Sequence, residues 1–392
     1  MRTTTVLISG AGIAGPALAY WLDRFGFRVT VVERAPALRS GGQAVDFKGR
    51  THRTVLERMG VWDEITRART GTTDTVFVDG TGRELATMPG EFTGGDVEIL
   101  RGDLSRILYR RTADRCDYRF GDAVSALTET AAGVRVEFER APAERFDLVL
   151  GADGIHSRVR ALAFGPEAEY VEHLGYCYAV AGASPWTGGT GEPERMRATG
   201  HNAPGRLAVS GGPKAEQLYL FAGPAPDHGA EPAAQRRLVA DAFAGLGWEV
   251  PRMLAELPGF DDFHLDAIAR VRMPAVVRGR VALVGDAGYG NTLGGFGTGL
   301  AVVGAAVLAG ELAVADGDHT VALPRYDALM KRYAKIAGNS NAGRFLAPRT
   351  ATGIRLRNGF LRSPAFGLMT KYASSAAEEI ELRDYPAALP TP

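Results

Sequence analysis

No feature of this 392-residue chain restricts its fold more than the segment from Gly10 to Arg34, GAGIAGPALAYWLDRFGFRVTVVER. Just before it, Thr5-Val6-Leu7-Ile8 is β-branched and apolar, a short buried strand. Three glycines follow. Gly10 permits a tight turn, Gly12 lets backbone approach a pyrophosphate, and Gly15 lets the next helix pack close to the strand. Pro16 is tolerated because a missing N–H in the first helical turn breaks no internal bond. The helix is predicted to end at Phe25, with Gly26 past its end, and Val29 to Val32 forms a second strand. Glu33 ends that strand, 23 residues after Gly10, where a carboxylate accepts hydrogen bonds from ribose hydroxyls. The helix start itself favours phosphate. This order predicts dinucleotide binding and leaves NAD and FAD both open.

Two later segments repeat the pattern of a strand followed by a tight turn. Phe146 to Gly151 reads as a strand leading into Asp153-Gly154, with Ser157 placed to cap the next helix. Arg280 to Val284 reads as another, leading into Gly285-Asp286. A loop then reaches Gly294-Gly295-Phe296-Gly297-Thr298-Gly299 and an apolar helix from Leu300 to Gly310. Acids at the carboxyl ends of strands sit where ligands of open α/β sheets gather. Asp286 suits a polyol, and the glycine-rich helix start offers N–H groups to negative charge. Each segment alone is also a common turn or helix cap.

Together, and in this order, the three segments resemble the class A flavoprotein monooxygenases, the p-hydroxybenzoate hydroxylase superfamily. The resemblance covers most of the chain. Within the superfamily the sequence is similar to small members, including the tetracycline-inactivating monooxygenases, through Gly41-Gly42-Gln43-Ala44-Val45-Asp46-Phe47-Lys48-Gly49 and Val97-Glu98-Ile99-Leu100-Arg101-Gly102-Asp103-Leu104. It implies FAD rather than NAD as the bound nucleotide. Gly10, Gly12, Ala14, Gly15, Glu33 and Arg34 would meet its adenosine and pyrophosphate, and Arg101, in an R-x-x-L helix, would touch it as well. Asp153 and Gly154 would serve FAD and NAD(P)H, Asp286 the ribityl chain, and Gly297, Thr298 and Gly299 the flavin ring. Departures from the family pattern are Gly288 in place of alanine, no proline between Asp286 and Gly299, and Gly299 where asparagine is common. Extra glycine is expected to loosen this loop.

The implied fold is α/β: a Rossmann-like FAD-binding domain (1–72, 99–170 and 262–345), an inserted, mostly antiparallel β-sheet substrate domain (73–98 and 171–261), and a C-terminal bridging helix and tail (346–392). The implied reaction is monooxygenation with NAD(P)H and O2, through a flavin C4a-hydroperoxide, on an aromatic or polyketide-type molecule. Baeyer–Villiger insertion, dehydrogenation, redox-neutral rearrangement and a sequestering flavoprotein stay open, because chemistry lives in the pocket rather than the fold. No catalytic residue is assigned. Lys48, His52 and Tyr289 are polar candidates, with Lys48 also a substrate candidate. Tyr178, Tyr219 and Phe221, on two strand-like runs, are candidates for a flat apolar pocket.

Composition narrows the classes further. Basic and acidic side chains balance at 45 each, which gives no general pull toward nucleic acid. Cys116 and Cys177 form no C-x-x-C pair, and the chain reads as cytoplasmic. Seven histidines lie without H-x-H or H-E-x-x-H spacing, so no metal site is read. The glycines interrupt the apolar N-terminal run and argue against a signal peptide, and Leu300 to Gly310 is too short to span a bilayer. Only one G-x-G-x-x-G is present, which agrees with the transient NAD(P)H binding that the resemblance implies. Lys331 to Lys371 carries nine basic residues and no acid, a solvated face or a steering patch for anions. Ser374 onward reads as a short acidic helix and tail, and the chain as a monomer or weak homodimer.

Overall fold

The computed structural model describes residues 4–39, 43–71, 73–93, 95–182, 196–212, 215–293, 296–335, 341–366 and 381–385. One sheet contains β1 (Thr5–Ser9), β2 (Arg28–Glu33), β7 (Asp117–Phe120), β11 (Leu148–Gly151), β17 (Val277–Arg278) and β18 (Val281–Leu283), in the order β17-β18-β11-β1-β2-β7. All its neighbours are parallel except β17 and β18. Val6, Leu7 and Ile8 are fully buried, as an uninterrupted apolar run must be when helices cover both faces of a parallel sheet. The covering helices include α1 (Ala14–Arg24), α5 (Arg101–Arg110), α6 (Arg158–Ala163), α10 (Gly297–Val314) and α11 (His319–Ala334). Smaller helices α2 (Gly49–Arg58), α3 (Trp62–Arg67) and α9 (Asp286–Tyr289) pack around them. The pair β3 (Ala44–Phe47) and β6 (Val97–Leu100) lies close by. A three-stranded antiparallel sheet, β8 (Val124–Thr130), β9 (Gly133–Phe138) and β10 (Glu144–Phe146), precedes β11.

The helix after Gly297 is longer than the sequence suggested. α10 runs 18 residues and is apolar and long enough to cross a bilayer, but 78% of it is buried inside the fold. It continues through Glu311 because that buried carboxylate accepts hydrogen bonds from Arg383 (2.9 Å) and the Tyr385 hydroxyl (3.0 Å).

The second large sheet holds β4 (Thr73–Val78), β5 (Glu84–Met88), β12 (Val171–Ala181), β13 (Met196–Ala203), β14 (Arg206–Ser210), β15 (Gln217–Ala222) and β16 (Phe263–Val271). Its order is β16-β12-β15-β14-β13-β4-β5, and only β13 and β4 pair in parallel. β16 pairs along the whole of β12, so residues 263–271 belong to this sheet and not, as the sequence suggested, to the first. One face packs on α7 (Pro232–Phe243) and α8 (Val250–Glu256) through Val239, Phe243, Val250 and Met253. On the other face lie α4 (Gly90–Thr93), α12 (Ala342–Leu346) and α13 (Ala351–Leu361).

Residues 381–385 return to the first unit, where Asp384 pairs with Arg58 at 2.7 Å and Tyr333 donates to the Glu381 carbonyl at 2.8 Å. Most of the expected acidic helix from Ser374, like Gly41-Gly42 and Gly294-Gly295, lies outside the described residues. The basic run is not one solvated face. Lys331 pairs with Asp327, Arg349 donates to the Gly175 carbonyl, and buried Arg357 sits 3.7 Å over the Phe77 ring.

Candidate cofactor and substrate site

The chain leaves β1 to form β2 on one side and returns to form β11 on the other, so the strand order reverses at β1. Helices must then diverge above the carboxyl ends of β1 and β11, opening a crevice. All three glycine–acid segments stand there, on three adjacent parallel strands: Gly10 after β1, Asp153 after β11 and Asp286 after β18. Backbone bonds tie the ends together, Ala152 N–H to the Ser9 carbonyl and Val284 N–H to the Gly151 carbonyl, both at 2.8 Å.

The first turn is built for close approach. Gly10 has φ +105°, and a Cβ there would lie 2.5 Å from the Ala152 carbonyl oxygen. A Cβ on Gly15 would strike the Gly10 carbonyl at 1.9 Å. The N-terminus of α1 has no side-chain cap and no acid in its first turn, which leaves its positive end for an anion. Glu33 braces the turn, accepting from Ala11 N–H and Ala35 N–H at 2.8 Å each; exposed Arg34 follows it. Arg101, at the start of α5, faces Gly12, its Nη2 3.8 Å from where a Cβ would stand. Ser105, one turn on, donates to the Gly12 carbonyl at 3.0 Å. Sequence reasoning missed Ser105, since only the fold brings α5 under this loop.

Asp153 accepts from Ser157 Oγ at 2.5 Å and from Val159 N–H at 3.0 Å, and Ser157 Oγ caps α6 by accepting from Arg160 N–H. Burial nevertheless pushes the Asp153 carboxyl up. Gly154 needs its φ of +83° and has open space around it. Asp286 is different. Its side chain is accessible yet surrounded by protein, the signature of a recess, and that removal from bulk water pushes its carboxyl up, with Arg101 opposing. Among the described residues nothing donates to it. An acid held in a recess without hydroxyl partners, beside a free helix start and an arginine, fits a polyol joined to a pyrophosphate.

Among the described residues the glycines at the departures from the family pattern stand in close packing. Gly290 has φ −59°, which proline would accept, but a Cβ there would lie 2.9 Å from Asp286 Cα. A Cβ on Gly288 would come within 3.1 Å of Val276. On Gly299 it would enter the His52 ring, 2.0 Å from Cε1. His52 is buried, its Nδ1 accepting the Lys48 N–H at 3.1 Å, and burial lowers its pKa to about 4, with Asp96 opposing. Half-buried Lys48 is the residue before α2. Tyr289 is no surface acid or base: it is buried, 3.5 Å from both the Tyr326 hydroxyl and the Leu300 carbonyl. Residues 290–292 run as an added edge on β16. Val271 N–H donates to the Gly290 carbonyl (2.8 Å) and Thr292 N–H to the Ala269 carbonyl (3.0 Å). Between the acid and α10, Leu293 adopts φ +57° and packs against the apolar face of the second sheet. Left-handed backbone at a non-glycine residue stores strain of about 1–3 kcal/mol.

That sheet corrects part of the pocket expected from sequence. Tyr178 pairs with Leu220 and Cys177 with Phe221, and alternate residues point to opposite faces. Tyr219 and Phe221 therefore join Phe243 under α7 and α8, away from the recess. Tyr178 lies on the facing side, directly across from Asp266 of β16 and 5.9 Å from the His264 ring. Burial pushes its phenol well up, chiefly with help from Asp266 and against Arg101. Phe92, Phe345, Phe360 and Phe366 cluster on the same side, with ring centroids 5.0–5.5 Å apart. At the seam His156 meets both Asp266 (3.2 Å) and Glu167 (3.0 Å), and these hydrogen bonds raise its pKa to about 9.

A switch-point crevice of this kind, with three glycine–acid turns on adjacent parallel strands, belongs to a dinucleotide-binding fold. The family described as FAD binding domain matches residues 3–323, and the chain belongs to it, among the class A flavin-dependent monooxygenases. A flavin-dependent monooxygenase of an unknown prokaryotic organism is 36% identical over 398 residues, spanning 98% of this chain and 100% of its own. One from Legionella longbeachae serogroup 1 (strain NSW150) is 38% identical over 340 residues, spanning 85% and 86%. The crystal structure of tetracycline destructase Tet(55) superposes with TM-score 0.78 at 33% identity, covering 98% of this chain and 99% of that one.

Proposed function

We propose that this monooxygenase uses NAD(P)H and O2 to hydroxylate a flat aromatic or polyketide-type molecule held between the strand ends and the second sheet. One observation supports the reading: Asp286 and Arg101 at the strand ends and Tyr178 on the second sheet lie near enough to interact electrostatically. Bound FAD supplies the electron transfer and oxygen chemistry, which no side chain provides.

The chain's part is to hold and to shield. Gly10, Gly12, Ala14 and Gly15 present the start of α1 to the pyrophosphate, and Glu33 accepts from the adenosine ribose. Arg34 flanks the adenine and Arg101 neutralises phosphate charge. Asp153 and Gly154 keep the second strand end in place, and Asp286 accepts from the ribityl hydroxyls. Gly297, Thr298 and Gly299 open α10, whose first turn has no acid and no side-chain cap; that end favours negative charge brought to it. Apolar side chains packed near Tyr178 and Leu293 reduce the water around these contacts, which strengthens them. The likeness to tetracycline destructases supports a polycyclic substrate.

The test is substrate-stimulated NAD(P)H oxidation by FAD-loaded protein under labelled O2, with product mass and connectivity. One labelled oxygen on a ring carbon is the expected result. Ring expansion assigns Baeyer–Villiger chemistry instead, product without label a dehydrogenation or rearrangement, and binding without turnover a sequestering protein.

A further inference from the structure

Three histidines that look scattered in the sequence converge on one carboxylate where the two large sheets meet. Asp266 is 6% exposed. His156 Nε2 lies 3.2 Å and His228 Nε2 3.6 Å from its Oδ1, and His264 Nε2 lies 3.8 Å from its Oδ2. One ligand atom each from His156, His228 and Asp266 fall within 4.8 Å of one another, and the rings of His156 and His228 stand 4.1 Å apart.

The outer contacts matter as much. His156 Nδ1 faces the Glu167 carboxylate at 3.0 and 3.2 Å. With the Nδ1 proton given to Glu167, the Nε2 lone pair points at Asp266. Positive charge must stand between Nε2 and Asp266 at 3.2 Å, either an Nε2 proton, which makes the ring an imidazolium donating to both carboxylates, or a bound cation. Carboxylate–histidine–metal triads have this form, with the outer carboxylate fixing the tautomer. In a four-coordinate site with bonds of about 2.0–2.2 Å, ligand atoms stand about 3.4 Å apart. The two separations to Asp266, 3.2 and 3.6 Å, bracket that value, and the two histidine ligand atoms lie within 4.8 Å of each other.

We propose that His156, His228 and Asp266 bind a divalent transition cation of the Zn2+ type. Imidazole with a single carboxylate suits Zn2+, Co2+ and Ni2+ over the hard cations. The ligands come from three places: the turn after β11 that carries Asp153, the segment after β15, and β16. A cation here clips the cofactor sheet to the substrate sheet, beside the strand pair Tyr178–Asp266. This assignment goes beyond the sequence spacing, from which no metal site is read, and it does not depend on which reaction the flavin performs.

Zn2+ is titrated calorimetrically into chelator-treated, FAD-loaded, full-length protein. One saturable Zn2+ per chain is expected, with a rise in Tm. His228→Ala, at an exposed position, lowers Zn2+ affinity at least about tenfold, and Glu167→Gln lowers it about tenfold through His156. Retained flavin absorbance shows that each variant is folded. If His228→Ala is not folded, His228→Gln together with Glu167→Gln gives the same reading. Absence of saturable binding, or binding indifferent to both His228→Ala and Glu167→Gln, overturns the site and leaves a proton as the charge between His156 and Asp266.

Discussion

Gly299→Ala provides a quantitative test of the packing at the start of α10. The new methyl would lie 2.0 Å from His52 Cε1 and 2.3 Å from both ring nitrogens, where carbon contacts settle at about 3.5–4.0 Å. His52 is 2% exposed, so the ring cannot simply swing into water. Displacing it breaks the 3.1 Å bond from Lys48 N–H, leaving a donor unsatisfied at about 1–3 kcal/mol. Overpacking adds about 1–3 kcal/mol, and the helical preference of alanine over glycine returns about 1 kcal/mol. The net loss is about 1–5 kcal/mol. With His52→Ala already in place the obstruction is gone, and Gly299→Ala becomes neutral or stabilising by up to about 1 kcal/mol. The double-mutant cycle should therefore show a coupling of at least about 2 kcal/mol. Urea unfolding followed by tryptophan fluorescence, at fixed FAD concentration and above pH 7, measures all four proteins. An equal effect of Gly299→Ala in both backgrounds would refute the reasoning.

His52 also sets a pH dependence. Its pKa is lowered from 6.5 to about 4, so below pH 6.5 the unfolded chain binds a proton that the folded one refuses. Stability is whole above pH 6.5 and falls as pH drops toward 4, by up to about 3 kcal/mol; His52→Gln should flatten that limb of the unfolding curve. Asp286→Ala removes a charged acceptor worth about 1.5–3 kcal/mol and should weaken FAD retention about 10–100-fold, read by equilibrium dialysis. Retention equal to the parent's would dismiss the ribityl role. Tyr219→Phe deletes the 2.6 Å bond to Gln217, with a loss of about 0.5–1.5 kcal/mol and unchanged kcat/KM. Tyr178→Leu, on the opposite face, should raise KM severalfold while FAD stays bound. Reversed behaviour of the two tyrosines would invert the facing of the sheet.

The strand ends were legible because their chemistry is local. Gly10, Asp153 and Asp286 each follow a short apolar run, and a strand that ends in glycine or an acid declares its position within a few residues. The sheet faces were not. Tyr178, Tyr219 and Phe221 look alike in sequence, and only the register of β12 on β15 assigns them to opposite sides. The histidine cluster was illegible for the same reason: residues 156, 228 and 264 are gathered by tertiary structure, and only the spacing of His264 to Asp266 on one strand face hinted at it. Gly288 and Gly299 carry an ambiguous signal, since a glycine marks either freedom or the close presence of another atom.

The edge formed by residues 290–292 on β16 has a mechanical result. The polypeptide that carries Asp286 is hydrogen-bonded to the strand that carries His264 and Asp266. The two layers cannot part along this border without breaking main-chain bonds. Entry and exit of a guest then rely on side chains, on the other rim, or on displacement of the prosthetic group, and not on parting of the layers along this border.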